Sequence, residues 1–151
     1  MSMRYRTEII RVTSGTIATV ALAGGAAIHG VWAAGSTWPA ASSGELADLV
    51  VGRRPMPGRA PCAMVAVALA GAAAATALTS TGDRAASARW SRAAATVVSS
   101  VLLARGVGGA VAESCHIGQV TPEFRRWNRR LYSPLCLMLG ILVAVARWSR
   151  K

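Results

Sequence analysis

The chain has 151 residues, of which 53% are hydrophobic and only 15% are charged, and its mean hydropathy is +0.40. An ordinary soluble domain carries about 25% charged residues, so this composition argues against one. The net charge of +11 raises the question of nucleic acid. However, the arginines occur in every connection and are not interleaved with aromatic residues for base stacking, so we expect no nucleic-acid partner.

Four apolar blocks follow one another along the chain. Residues 12–44 and 60–82 contain no charged residue, residues 93–112 contain only Arg105, and residues 131–146 contain none. A bilayer is spanned by about 20 mostly apolar residues, and the arginines that flank the shorter fourth block can extend to the headgroups. We therefore predict one all-α domain over residues 1–151, an integral membrane four-helix bundle. Its antiparallel helices are expected near residues 12–34, 61–81, 92–113 and 131–148.

Two other interpretations of the apolar blocks remain open. The blocks are rich in alanine and glycine, as a soluble alanine-rich bundle would be, although uncharged runs of this length leave no polar face for water. Arg4, Arg6 and Arg11 before an apolar run also resemble a signal peptide. That run is longer than the usual apolar region of about 7–15 residues, so we favour a first helix that is retained.

Two connections contain the sequence signals of short helices. In the longest connection, residues 45–51 are expected to form a helix, whereas prolines and glycines disfavour one over residues 53–61. Before the fourth block, Thr121 can cap a helix that begins with Pro122. The basic segment that follows places Trp127 at the level of the lipid headgroups.

The distribution of basic residues predicts the orientation, because an even number of spans places both termini on one side. That side carries nine basic residues: Arg4, Arg6, Arg11, Arg84, Arg89, Arg92, Arg147, Arg150 and Lys151. The other side carries seven: Arg53, Arg54, Arg59, Arg125, Arg126, Arg129 and Arg130. The positive-inside rule therefore predicts a multi-pass protein of the cell membrane with both termini in the cytoplasm.

Three groups of residues resemble the signature of a protein family. They are Phe124 and Asn128 before Tyr132-Ser133-Pro134-Leu135-Cys136, then His29, Trp32, Gly35 and Trp38, and finally Arg105-Gly106. In this order they resemble the small bacterial membrane proteins grouped as domain of unknown function 3995, over nearly the whole chain. The resemblance implies four membrane helices and no assigned activity. The chain departs from the family pattern at Ser36, where a glycine is common, and at Asn128, where an aspartate is common.

Arg105 is the main candidate for a functional side chain, because it lies inside the third apolar block, eight residues before Glu113. An ionisable group at that depth is costly and usually faces protein or water. The neighbouring Gly106, Gly108 and Gly109 allow another helix to approach. Guanidinium groups pair best with planar, bidentate acceptors, which points to an anion or lipid-phosphate site or a gate. The alternative is a structural arginine, bonded to helix carbonyls or paired with Glu113.

His29 is the second candidate, and Trp32 shares its helix face three residues later. His29 could exchange protons or bind a metal or haem, or it could be a neutral histidine that is hydrogen-bonded between helices. The predicted topology places His116 on the same side of the membrane. The sequence is compatible with each of these roles for His29.

The three cysteines, Cys62, Cys115 and Cys136, fall toward one membrane face. A disulfide between Cys62 and Cys115, a Cys/His metal or haem site, and simple packing as small buried side chains are all open interpretations. None of the spacings is typical of a metal site, so we assign no metal ligand.

The polar residues near one membrane face define the predicted ligand site. They are His29, Trp32, Arg105, Glu113 and Tyr132. Because no nucleophile and base occur at a characteristic spacing, we assign no catalytic residue and no cofactor. We favour a non-enzymatic small membrane subunit or ligand-binding bundle that contacts membrane lipids, within a larger membrane complex or a homo-oligomer. An oligomeric small-molecule transporter and a membrane redox or haem protein are the alternatives.

Overall fold

Helices make up most of the structure, a computed structural model that describes residues 3–81, 87–115 and 117–147. In chain order they are α1 (Met3–Ala33), α2 (Ser43–Val50), α3 (Arg59–Thr81), α4 (Ser87–Ser114), α5 (Pro122–Trp127) and α6 (Ser133–Ala146). A π-helical turn, Asn128–Tyr132, joins α5 to α6. These residues include no β-strand, so the predicted all-α class is confirmed.

Four segments of the described chain are long and apolar enough to cross a membrane. They are Tyr5–Ala33, Arg59–Ser80, Arg89–Ser114 and Pro122–Ala146. The predicted four-helix architecture is therefore confirmed, with longer helices than the apolar blocks indicated. The largest difference is in the last segment, which begins at Pro122 and not near residue 131, because the helical backbone continues through the arginines. Its predicted end, position 148, lies outside the described residues.

Pro134 gives a physical reason for the π-helical turn. Proline has no N–H to donate to the carbonyl of Arg130, so regular α-helical bonding is interrupted at this point. The N–H of Ser133 donates to the carbonyl of Asn128, five residues back. The wider turn keeps α5 and α6 in one continuous segment of 25 residues.

The four long segments form an antiparallel ring. α1 packs against α3, α4 packs against α6, and contacts of α1 with α6 and of α3 with α4 close the ring. Gly106 faces Leu137 while Gly140 faces Leu103, so residue numbers on α6 fall as those on α4 rise. The C-terminal ends of α1 and α4 therefore meet the N-terminal ends of α3 and α5. We call this the cavity end of the bundle.

The interior of the bundle is made mainly of small side chains, and its surface carries large apolar ones. The buried core residues are Ala18, Leu22, Ala72, Ala73, Ala95, Leu139 and Val143. By contrast, Met64 and Val67 are each 73% exposed and Val20 is 66% exposed. Small residues between helices and apolar residues outside are the distribution expected of helices that pack in lipid.

The two short helices lie together at the cavity end, and both connections contain the helix that the sequence predicted. α2 buries Leu46 and Ala47. Thr121 caps α5, as predicted, by accepting a hydrogen bond from the N–H of Phe124. The Thr121 hydroxyl donates in turn to the carbonyl oxygen of Asp48 in α2, at 2.6 Å. The cap of α5 is thereby also a contact that holds α2 in place.

Candidate functional site

A cavity of about 500 Å³ lies at the cavity end, between α4, the connection that follows it, α5 and the π-helical turn. Its polar lining consists of Arg53, Arg105, Glu113, Gln119, Arg125 and Asn128. Its large apolar lining residues are Val51, Ile117, Val120 and Phe124. We call it the arginine cavity, because its described lining contains three arginines and one glutamate, which give the wall a net positive charge.

Arg105 keeps much of its hydrogen-bonding capacity in this cavity. Its Nη1 and Nη2 atoms both donate to Oδ1 of Asn128, each at 3.4 Å. These bonds are longer than the usual range of about 2.7–3.2 Å, and a guanidinium group has five N–H donors. Arg105 is also exposed. A ligand in the cavity can therefore reach donors that the protein leaves weakly bonded.

Asn128 fixes the position of that guanidinium group. Its side chain is buried, with the residue only 4% exposed. Oδ1 also accepts from the Ser133 hydroxyl at 3.1 Å, and Nδ2 donates to the Gly109 carbonyl oxygen at 3.1 Å. Because both ends of the amide are used, Asn128 is held in one orientation and presents its oxygen to Arg105.

Gly109 gives Arg105 the space to lie along its own helix. A Cβ atom at this position would be 2.5 Å from Nη1 of Arg105 and would also collide with the Ser133 hydroxyl. The guanidinium group is thus directed toward the C-terminal end of α4, at the level of Gly109. Both Arg105 and Asn128 line the cavity.

Glu113 lines the same cavity, one helical turn beyond Gly109. No ion pair among the described residues includes Glu113 or Arg105. The structural pair between these two side chains that the sequence left open is therefore not formed. Arg125 contributes from the other wall and is held by a hydrogen bond from Nη2 to the Gly118 carbonyl oxygen, at 3.1 Å.

The connection after α2 brings Arg53 into the cavity. Gly52, the residue before it, has a φ of +80°, and a Cβ there would lie 2.8 Å from the ring of Phe124. The Gly52 carbonyl oxygen accepts from the Thr121 N–H at 2.8 Å. The hydroxyl of Tyr132 donates to the Leu49 carbonyl oxygen at 3.1 Å, which fastens the end of α2 to the π-helical turn.

The structure divides the five predicted ligand residues among separate positions. Arg105 and Glu113 line the arginine cavity together. Tyr132 lies in the π-helical turn, where its hydroxyl is bonded to the connection and its ring is 6.0 Å from that of Phe124. Tyr132 therefore holds the neighbouring connection through a contact that the sequence did not reveal.

His29 and Trp32 form a local pair on α1, with ring centroids 4.8 Å apart. Nδ1 of His29 lies 2.9 Å from the Gly25 carbonyl oxygen, and Nε1 of Trp32 donates to the Trp38 carbonyl oxygen at 2.7 Å. These described bonds stay within α1 and the residues that follow it. His116 lies outside the described residues.

All three cysteines are free thiols, so the disulfide between Cys62 and Cys115 is not formed in this structure. Cys62 is buried and its Sγ donates to the Pro57 carbonyl oxygen at 3.7 Å. Together with Trp32 it lines a smaller cavity of about 240 Å³. Cys115 is exposed at the end of α4.

Sequence reasoning missed four residues of the arginine cavity and its support: Arg53, Arg125, Asn128 and Ser133. The arginines were counted only as charges of a loop that faces the headgroups. Asn128 and Ser133 were noted as motif residues without a role. The only sequence signal was the joint occurrence of Arg105 and Asn128 in one family signature, which does not state that the two side chains touch.

The geometry defines a class of protein. It is a small antiparallel bundle with four segments apolar enough to cross a membrane and an arginine-lined cavity at one end. A family model described as "Protein of unknown function (DUF3995)" matches residues 22–143, and the chain belongs to this family. The match runs from the middle of α1 into α6 and includes the whole arginine cavity. The resemblance seen in the sequence is thus confirmed. No curated protein and no solved structure matches the chain.

Proposed function

We propose that this is an integral protein of the cell membrane that binds an anionic group in the arginine cavity and catalyses no reaction. Four helices cross the bilayer, and both termini lie in the cytoplasm. The observation that carries the proposal is the state of Arg105, an exposed arginine in an apolar helix whose described hydrogen bonds are both long and both go to one amide oxygen.

The surface of the bundle supports the membrane assignment. Side chains such as Met64 and Val67 are largely exposed, although they lie within the apolar segment of α3. In water, such a surface would drive association. Lipid tails cover it without that cost, and the small core residues supply the close helix packing that bundles in lipid need.

The charge of the cavity supports an anionic ligand. Arg53, Arg105 and Arg125 come from three different parts of the chain and line one space. Guanidinium groups match the geometry of phosphate and carboxylate oxygens and form short, charge-assisted hydrogen bonds with them. A site near the membrane interface also has a lower dielectric constant than bulk water, which strengthens such pairs.

Lipid retention by the purified protein tests this proposal. The protein is titrated in detergent with phosphatidylglycerol, and bound lipid is counted by native mass spectrometry. Because a lost charge-assisted contact is worth about 1.5–3 kcal/mol, we expect Arg105→Ala to weaken binding about tenfold or more. The matched control is Arg126→Ala, because Arg126 is exposed beside Arg125 and does not line the cavity. Equal binding by the two variants would refute the proposal.

A further inference from the structure

We infer that the ligand of the arginine cavity is zwitterionic: a phosphate group joined by a short bridge to a primary ammonium group, as in a phosphoethanolamine headgroup. The inference rests on the proposed function, because Arg105 is the phosphate contact in both. It adds a second contact, an ammonium group bound by Glu113, and so names the class of ligand.

The first reason is the state of Glu113. It lines a cavity that also holds Arg53, Arg105 and Arg125, yet it takes part in none of the described ion pairs. A carboxylate in this position repels a ligand that is only anionic. A ligand that brings its own cation turns the same carboxylate into a favourable contact, because opposite charges close to each other in a partly desolvated site attract.

The second reason is the spacing of the two charges. Nη1 of Arg105 lies beside Gly109, at the position where a side chain on that residue would begin. Glu113 follows Gly109 by four residues, which is about 6 Å along the helix axis. A phosphate and an ammonium group joined by two carbons are long enough to match a backbone spacing of this size, with a hydrogen bond to the protein at each end.

The rest of the lining distinguishes a primary from a quaternary ammonium group. Quaternary ammonium ligands are usually held by several aromatic rings, and Phe124 is the only aromatic residue in the described lining of this cavity. A primary ammonium has three N–H donors. The carboxylate of Glu113 and the side-chain oxygen of Gln119 are acceptors for it, and the apolar side chains of Ala112 and Ile117 suit the carbon bridge.

The experiment compares phosphatidylethanolamine with phosphatidylglycerol, which shares the phosphate but lacks the ammonium group. Both lipids are offered to the full chain in one detergent titration, and the ratio of the two bound forms is read by native mass spectrometry. Binding that persists in Arg105→Ala is subtracted, so that the ratio reports only the binding that depends on Arg105. We expect the wild type to prefer phosphatidylethanolamine. Glu113→Gln should lower the ratio of bound phosphatidylethanolamine to bound phosphatidylglycerol about fivefold, because it weakens binding of the first lipid and strengthens binding of the second.

The control variant is Glu123→Gln, which removes an exposed carboxylate of α5 that does not line the cavity. It should leave the ratio unchanged. A wild type that prefers phosphatidylglycerol, or a ratio that is the same in Glu113→Gln, would overturn the inference. In either case binding that depends on Arg105 would still uphold the proposed function, whereas no such binding of either lipid would refute both.

A last arm of the experiment identifies the source of the ligand. Soluble glycerophosphoethanolamine, the same headgroup without acyl chains, is added to the lipid-loaded protein. Displacement of the lipid would assign the cavity to free phosphoethanolamine compounds, and retention of the lipid would assign it to a lipid of the membrane. The phosphate and ammonium contacts are the same in both.

Discussion

Arg105 and Asn128 are 23 residues apart in the sequence, yet both terminal nitrogens of the arginine lie 3.4 Å from the same amide oxygen. The amide is neutral, so it orients the guanidinium group without cancelling its charge. A carboxylate in the same place would form an ion pair and compete with any anionic ligand. The identity of residue 128 therefore decides whether Arg105 is available.

We predict that Asn128→Asp weakens phosphatidylglycerol binding about tenfold, because it adds a negative charge beside Arg105. It also replaces the amide nitrogen with an oxygen, which cannot form a hydrogen bond with the Gly109 carbonyl oxygen. The measurement is the native mass spectrometry titration. Asn128→Ala is the comparison, because it removes all hydrogen bonds of the amide without adding charge, and it should bind more lipid than Asn128→Asp. If Asn128→Asp binds the lipid as tightly as Asn128→Ala or more tightly, this would contradict the role given to the charge of Arg105.

Close packing of α4 on α6 depends on glycine. A Cβ at position 106 would lie 2.6 Å from the side chain of Leu137 and 3.0 Å from its backbone nitrogen. We therefore expect Gly106→Ala to lower the free energy of unfolding by about 1–3 kcal/mol, because an overpacked contact must shift the helices apart.

The control for this glycine is Gly71→Ala. Gly71 is also in the middle of an apolar helix, but nothing lies within 4 Å of an added Cβ. This variant should be neutral or slightly stabilising, since alanine favours the helix by about 0.5–1 kcal/mol over glycine. Thermal unfolding in detergent, followed by circular dichroism, measures both variants. Similar melting temperatures for the two would contradict the antiparallel contact of α4 and α6.

The hydroxyl of Tyr132 holds α2 against the π-helical turn through the Leu49 carbonyl oxygen. Its removal in Tyr132→Phe should cost about 1 kcal/mol of local stability. We expect faster hydrogen exchange of the α2 amides and unchanged exchange in the middle of α3. Tyr5→Phe, at an exposed tyrosine on the opposite end of the bundle, should change hydrogen exchange in neither α2 nor α3. Unchanged exchange in α2 would show that the hydroxyl does not hold the connection.

Asp48 makes the contact between α2 and the connection after it sensitive to acid. The hydrogen bond from Arg54, 2.6 Å between Nη2 and Oδ2, lowers the pKa of Asp48 below its usual value of about 3.9. A carboxyl group with a lowered pKa in the folded state contributes stability above the usual pKa. That contribution is lost as the pH falls through the lowered value.

We therefore predict that Arg54→Ala raises the pKa of Asp48 toward its usual value and loosens the connection after α2 at neutral pH, while the two proteins become alike in strong acid. A carboxyl-carbon NMR titration measures the pKa, and hydrogen exchange at the end of α2 measures the loosening. Arg59→Ala, at the same end of the bundle, should leave the pKa of Asp48 unchanged. An Asp48 pKa that does not move in Arg54→Ala would show that the ion pair is absent in solution.

Cys115 reports the orientation, because it is exposed at the cavity end whereas Cys62 is buried. If both termini are cytoplasmic, the cavity end faces outward, and a membrane-impermeant maleimide should label Cys115 in intact cells. Cys115→Ser should abolish this labelling. Labelling that appears only after the membrane is opened would place the cavity end, and its arginines, in the cytoplasm.

The sequence by itself determined the helical class, the approximate segments and the cap of α5. These properties depend on local chemistry: an uncharged run of about 20 residues favours a membrane helix, and Thr121 before Pro122 favours a helix start. The sequence also identified Arg105 as unusual, because a charge within an apolar block is conspicuous without any structure.

Only the tertiary structure decided which residues meet. The π-helical turn brings Asn128 to Arg105, and Gly52 turns the chain so that Arg53 reaches the same cavity, while His29 remains with Trp32 on α1. Such contacts depend on how helices pack and where a connection folds back. Residues 23 positions apart in different segments carry no local signal of their distance. The candidate site is therefore a property of the assembled bundle, although each of its residues was visible in the sequence.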